Sequence, residues 1–365
     1  MAVPLFDPST PLEALQPPLR AAIDDVLAAG RWILGPQVAA FEREWADYIG
    51  TTEAIGVANG TEAITIALRA LGVGPGDDVV VPSFTYFASA GAIPPTGARP
   101  VFCDVDPATS CVTLATVRAA VTPRTKAVVA VHLFGNVAPV REIEEELGLP
   151  VVEDVAQAAG SLAAAGARPG NLGVIGTFSF YPSKNLGAFG DGGAITTSDA
   201  ALAERVRTLR FHGAADKVTH TEVGYNSRLD ELQAAILRVQ LPKLDGWADH
   251  RRAAGSWYEA AGLARHAALP EPTDGSRPAW GLYVIRVSDP DALAARLAER
   301  EIGARAYYRV PIHQQPVFAA EHGATPLPGT AEAARTHLAI PISAAITREQ
   351  VEEVVEAIRD ATAAS

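Results

Sequence analysis

Thr177-Phe-Ser-Phe-Tyr-Pro-Ser-Lys-Asn-Leu-Gly-Ala-Phe-Gly-Asp191 reads as the end of an apolar strand running into a glycine-rich turn, with Lys184 at the bend. Upstream, a second apolar strand, Val151-Val-Glu-Asp154, closes on a carboxylate. Most lysines are solvated surface groups, so Lys184 alone says little. Paired with a strand-end aspartate it says more. An amine attacks a carbonyl only with a neutral lone pair, and a buried lysine gives up its proton far more readily than an arginine. A carboxylate can hold a heterocyclic nitrogen protonated, which turns a pyridine ring into an electron sink. Together the two residues point to pyridoxal 5'-phosphate held on Lys184 as a Schiff base.

Outward from this stretch, short apolar runs alternate with helical patterns. The runs at Ala54–Ala58, Asp78–Pro82, Pro100–Phe102, Lys126–Leu133, Val151–Asp154, Thr177–Phe180 and Ala194–Thr197 predict strands, several apolar enough to be buried on both faces. Helices are predicted over Thr61–Leu71, Leu114–Ala120, Val140–Leu147 and Asp199–His212. The alternation predicts an α/β domain with a mostly parallel sheet, whose ligands gather at the carboxyl ends of the strands. From Asp230 a helical stretch runs on, interrupted by Pro242, and Trp280–Val287 (strand), Pro290–Glu301 and Thr347–Ala363 (helices) follow. The expected division is a large α/β domain over 1–245 and a smaller α+β domain over 246–365.

Other residues fall where those strands end. Ala58-Asn-Gly-Thr61 opens a helix whose free N–H groups and dipole can cradle a phosphate through Gly60 and Thr61; it also fits an ordinary helix cap. No Gly-Lys-Ser/Thr follows, so it is not a P-loop. Tyr86, in Pro82-Ser-Phe-Thr-Tyr86, can stack on a planar cofactor or pack in the core. In Glu153-Asp-Val-Ala-Gln157, a turn after the strand would send Asp154 and Gln157 into one crevice, Asp154 to a ring nitrogen and Gln157 to a ring oxygen. Glu153 would point elsewhere and serve structure. Ser179 is placed for a second phosphate contact. The glycines at 187, 190, 192 and 193 imply left-handed backbone or close packing, and their spacing fails as a dinucleotide fingerprint.

The bulk numbers agree with a soluble enzyme. At 365 residues the chain exceeds one typical core. A net charge of −12 argues against nucleic-acid binding, though not against a small anionic substrate. Cys103 and Cys111 are too few for a disulfide framework, so a reducing cytoplasm is expected. The N-terminal residues lack the pattern of a signal peptide, and no apolar run is long enough for a bilayer. No metal site and no membrane partner are expected.

The chain resembles the DegT/DnrJ/EryC1/StrS family of sugar aminotransferases, of the aspartate-aminotransferase fold (fold type I of the pyridoxal-phosphate enzymes). The resemblance runs through Gly30-Arg-Trp-Ile-Leu-Gly-Pro-Gln-Val38, Asn59-Gly-Thr-Glu-Ala63, Pro82–Tyr86, Glu153–Gln157, Phe178-Ser-Phe-Tyr-Pro-Ser-Lys184 and Gly224-Tyr-Asn-Ser-Arg-Leu229, and ends at Pro311-Ile-His-Gln-Gln-Pro316 and Leu338-Ala-Ile-Pro341. It covers nearly the whole chain in the family's order. It implies that Lys184 carries the cofactor, Asp154 pairs with the ring nitrogen and Gln157 with the ring oxygen. It further implies that Gly60, Thr61 and Ser179 hold the phosphate and Tyr86 stacks on the ring. Asn226 would reach the phosphate of the neighbouring subunit, making a homodimer with shared sites. Gly224–Asp230 by itself also reads as a loop and helix cap, with Ser227 or Asp230 capping. Arg228, Tyr308 and His313 are candidate sugar contacts, although a structural role is the commoner fate of such a histidine.

The implied reaction moves an amino group from L-glutamate to a nucleotide-linked keto sugar, leaving 2-oxoglutarate and passing through pyridoxamine phosphate. The run from Tyr225 to Ile236 leans toward a uridine-linked 3-keto sugar. Two departures bear on the sugar alone: Gly281 and Tyr307 stand where many relatives carry histidine. A keto-cyclitol aminotransferase is the near rival, and a cofactor-binding regulator the rival of another class. A sugar dehydratase of the family would carry histidine in place of Lys184.

Overall fold

The computed structural model describes residues 2–216 and 218–363. Seven strands form one sheet: β1 (Glu53–Val57), β2 (Asp78–Pro82), β3 (Arg99–Cys103), β4 (Thr125–Val131), β5 (Val151–Asp154), β6 (Ile175–Ser179) and β7 (Gly193–Thr197). Their order is β1-β7-β6-β5-β4-β2-β3. All run parallel except β7, which lies antiparallel to both β1 and β6. Every residue of β2 and β5 is buried, as strands covered on both faces must be.

The helices follow from caps and apolar spacing. Asn59 caps helix Gly60–Ala70 by accepting a hydrogen bond from the Glu62 amide at 2.9 Å. Ala63, Ile64, Ala67 and Leu68 then form the buried stripe that seats this helix on the sheet. Pro242 coincides with a 3-10 turn, Leu241–Lys243, between helices Glu231–Gln240 and Leu244–Ala260.

A separate core gathers around β8 (Tyr283–Arg286) and β9 (His337–Ile340), an antiparallel pair covered by helices Leu244–Ala260, Pro290–Glu299 and Arg348–Ala363. Val3 bridges to Ile302, so the first residues pack into this core as well. Two expected strands are shorter than the sequence suggests. β4 stops at Val131, because Leu133–Gly135 turns with Phe134 at φ 58°. β8 starts at Tyr283, because Trp280 sits at φ 42°.

Candidate active site

The carboxyl ends of β1, β2, β4, β5 and β6 open onto one cavity of about 990 Å³. This is where a parallel sheet leaves a crevice. β5 ends at Asp154, whose Oδ2 accepts a hydrogen bond from the Ser89 hydroxyl at 2.7 Å and whose Oδ1 accepts from the Ala156 amide at 3.1 Å. Asp154 is buried yet lines the cavity. Because strand side chains alternate, Glu153 faces the other way. Its carboxylate accepts the amides of Gly170, Leu172 and Gly173, each at 2.8 Å, and lies 2.8 Å from His132 Nε2. It fixes the loop that feeds β6, the structural role its place in the sequence suggests.

β6, the hydrogen-bonded neighbour of β5, leads to Lys184. The Lys184 amide donates to the Tyr181 carbonyl at 2.8 Å, closing a four-residue turn. Gly187 packs on that turn: a Cβ there would meet the Pro182 carbonyl oxygen at 2.6 Å. A Cβ on Gly193 would meet the Asn59 carbonyl carbon at 2.6 Å. Neither glycine has a positive φ, and nor do Gly190 and Gly192, so left-handed backbone explains none of the four, and close packing against backbone explains Gly187 and Gly193. The Lys184 side chain is half-buried and borders the cavity. Burial lowers its pKa from the ordinary lysine range, and the Asp154 charge opposes the shift without cancelling it.

Gln157 is held at both ends of its amide. Its Oε1 accepts the Phe134 backbone N–H at 2.8 Å, and its Nε2 donates to the Tyr308 hydroxyl at 3.3 Å. Across the cavity, helix Gly60–Ala70 begins against β6 so tightly that a Cβ on Gly60 would meet Ser179 Cβ at 2.7 Å. Thr61 and Ser179 line the same corner. The cap leaves room for a cradle: Asn59 takes only the Glu62 amide, so the first N–H groups of the helix are free to meet a phosphate. Tyr86 is 60% exposed, with its ring 6.5 Å from that of Tyr308.

Gly60, Thr61, Tyr86, Asp154, Gln157, Ser179, Lys184 and Tyr308 thus meet at one cavity. Asn226, Arg228 and His313 do not line it. Asn226 is exposed and accepts from Arg228, whose guanidinium also lies 5.6 Å from the Phe211 ring. His313 is buried, with Nδ1 2.5 Å from the Ser83 hydroxyl. Asp230 stands at the cap of helix Glu231–Gln240 without a side-chain bond, and Ser227 bonds the Ala58 amide instead, so neither caps as expected. Gly281 and Tyr307 do border the cavity. A Cβ on Gly281 would strike the Gln157 carbonyl oxygen at 2.5 Å, so a histidine there requires a shifted backbone.

The sequence reading passed over Ser89 and Arg305. Ser89 stands three residues after Tyr86, a spacing that returns it to the same face, and that is the signal that could have exposed it. Arg305 lines the cavity without an adjoining motif to flag it.

These residues fit pyridoxal phosphate: a cavity-lining amine of lowered pKa, a buried carboxylate on the adjacent strand, and a helix start too close to β6 for any side chain at residue 60. Comparisons with known proteins agree. The chain is 44% identical to a "Pleiotropic regulatory protein" of Geobacillus stearothermophilus, over 99% of this chain and 98% of that protein. It is equally 44% identical to the dTDP-3-amino-3,4,6-trideoxy-alpha-D-glucose transaminase of Streptomyces venezuelae, covering 98% and 96%. Further relatives include a UDP-N-acetyl-3-dehydro-alpha-D-glucosamine 3-aminotransferase from Acidithiobacillus ferrooxidans, 40% identical over 98% and 97%. Among solved structures, S. venezuelae DesV in complex with a ketimine intermediate superposes with a TM-score of 0.94 at 42% identity, covering 98% of each chain. The DegT/DnrJ/EryC1/StrS aminotransferase family model matches residues 15–359. The chain belongs to that family and is a pyridoxal-phosphate-dependent aminotransferase.

Proposed function

We propose that the chain transfers the amino group of L-glutamate to the 3-keto carbon of a sugar carried on a nucleoside diphosphate, giving an amino sugar nucleotide. The observation that carries this reading is that Lys184, in the turn after β6, and the buried Asp154 carboxylate, at the end of neighbouring β5, line one cavity. Bound pyridoxal phosphate would supply an aldehyde for primary amines and a ring that accepts electrons. Lys184 Nζ, its pKa lowered, is suited to take a proton from the donor's α-carbon and to return one to the acceptor's carbon. Asp154, fixed by Ser89 and the Ala156 amide, would keep a ring nitrogen protonated, and Gln157, fixed by Phe134 and Tyr308, would orient the ring oxygen. The 990 Å³ cavity leaves room for a large substrate, and a diphosphate far from the reacting carbon can contribute binding energy.

Amination at C3 is supported by the names of the dTDP- and UDP-sugar relatives. The uridine carrier remains our reading of the Tyr225–Ile236 run, and thymidine is favoured by the relative of higher identity. The two free, buried cysteines suit a cytoplasmic setting. We take the large and small domains to meet near residue 245, where helix Leu244–Ala260 begins.

A second reading, a regulator that only binds the cofactor, is favoured by the name of the G. stearothermophilus relative. One experiment separates the readings. Purified holoenzyme is given glutamate and followed by absorbance, then offered UDP- and dTDP-linked 3-keto sugars and a keto-cyclitol, with products read by mass spectrometry. Multiple turnovers on a nucleotide-linked sugar are expected. A cyclitol turned over faster than either nucleotide sugar, or no turnover of any, would sink the proposal.

A further inference from the structure

Behind the Lys184 turn lies a second cavity of about 370 Å³. Its walls are largely apolar, with Pro8, Leu12, Ala188 and Ile342 among them. It shares Phe6, Ser183, Lys184 and Asn185 with the larger cavity, so the lysine borders both spaces. Arg251, on helix Leu244–Ala260, also lines it.

The adjacent arginine is ordinary. Arg252 bonds the Asp249 carboxylate at 2.8 Å and reaches the carbonyls of Gly160 and Pro278. Arg251 has no such partner. One of its terminal nitrogens donates to the Trp280 carbonyl at 3.2 Å, and its buried Nε bonds nothing. Asp7 lines the same cavity, but its carboxylate accepts the amides of Ser9 and Thr10. The side chain as a whole is half-buried, and burial of its guanidinium, with no charge opposing or aiding it, brings the pKa down to about 10. A cation taken from water without an anion is costly. The guanidinium fork matches a carboxylate in two parallel hydrogen bonds, and apolar walls suit the methylenes behind one.

We propose that this pocket is the carboxylate subsite for the amino donor, with Arg251 as its anchor. The proposal rests on the aminotransferase reading above and deepens it: the donor seats a carboxylate on Arg251 with its amine toward Lys184, while the keto sugar occupies the larger cavity. The chemistry recognised is that of a carboxylate on a short apolar stem, and a regulatory carboxylate bound apart from turnover is the other source.

The test uses glutarate, a dicarboxylate without an amine, titrated calorimetrically into holoenzyme. Wild type is compared with Arg251→Gln, Arg251→Lys and Ala344→Asp, the last placing a competing carboxylate in the pocket with Arg251 intact. The expectation is that Arg251→Gln and Ala344→Asp weaken glutarate about tenfold or more and raise the glutamate KM to match, leaving the keto-sugar KM unchanged. Arg251→Lys should keep part of the affinity. Unchanged glutarate binding in both variants would overturn the proposal. So would lost glutarate binding with an unchanged glutamate KM, which marks a regulatory site. If Arg251→Gln does not fold, Ala344→Asp decides. A wild type that glutamate does not convert at all refutes the enzymatic reading; a wild type that converts normally, with Arg251→Gln unaffected, refutes only the pocket.

Discussion

Lys184 is a cation confined where its charge is unwelcome, and this has a cost that pH can read. Its pKa in the folded chain is lowered from the usual 10.5, chiefly by burial. Below the lowered value both folded and unfolded chains hold the proton, and the folded state bears the full desolvation cost. As pH rises toward 10.5 the folded state sheds the proton first and the cost disappears. Cofactor-free Lys184→Met should therefore melt at a higher temperature than cofactor-free wild type at pH 7, with the gap closing by pH 10.5. A gap that does not change with pH would contradict the lowered pKa. Ser89 offers a second measurement. Ser89→Ala leaves a buried Asp154 oxygen short of its 2.7 Å bond, a loss of about 1–3 kcal/mol in stability. Urea unfolding should show it, and turnover should fall about tenfold as the carboxylate loses its orientation. Lys184 and Asp154 were legible in the sequence because each closes an apolar run. Ser89 and Arg251 were not, since one is a single hydroxyl in a small-residue stretch and the other one of two adjacent arginines that only packing tells apart.

Helix Gly60–Ala70 and strand β6 meet at a distance that only glycine allows. Gly60→Ala would place a methyl 2.7 Å from Ser179 Cβ, both atoms anchored on backbone, so the helix start must move away from the strand. Pyridoxal phosphate affinity should fall about tenfold or more, because a phosphate at a helix start depends on amide geometry. Cofactor titration followed by absorbance tests this, and an unchanged affinity would argue that the phosphate sits elsewhere. The elements themselves were well marked in the sequence. β2 and β5 have the bounds their apolar runs suggest, and Leu114–Ala120 and Val140–Leu147 are the helices their spacing gives. The ends that moved did so for local reasons, such as Phe134 and Trp280 adopting positive φ, which no periodicity announces. The direction of β7 was equally hidden. Gly193–Thr197 reads the same whether its neighbours run with it or against it.

At the scale of the molecule, Asn226 is exposed and away from the cavity of its own chain, as it must be if it serves another copy. We expect a homodimer with shared sites. Mixing Lys184→Ala with Asn226→Ala, each inactive, should restore about a quarter of wild-type activity, since half of randomly paired dimers are hybrids and each hybrid holds one intact site. No recovery after proven subunit exchange would place Asn226 in its own chain's business. Subunit pairing lies beyond what one chain's hydrophobic pattern can encode, which is why it rested on resemblance alone.

The reversal of β7 bears on how this site can change over evolution. With β6 and β7 paired antiparallel, Ser179 opposite Gly193, the amine rides on the tip of a hairpin and not on a long crossover. Phe180 clamps that tip from both sides, donating to the Gly192 carbonyl and accepting from the Ala188 amide. Deleting one residue between 185 and 191 would leave the paired strands in register while rotating Lys184 off its bearing. Such a shortened chain would fold, stay colourless and do no chemistry, so outside the buried Asn185 and the closely packed Gly187 this segment should tolerate changes of letter far better than changes of length.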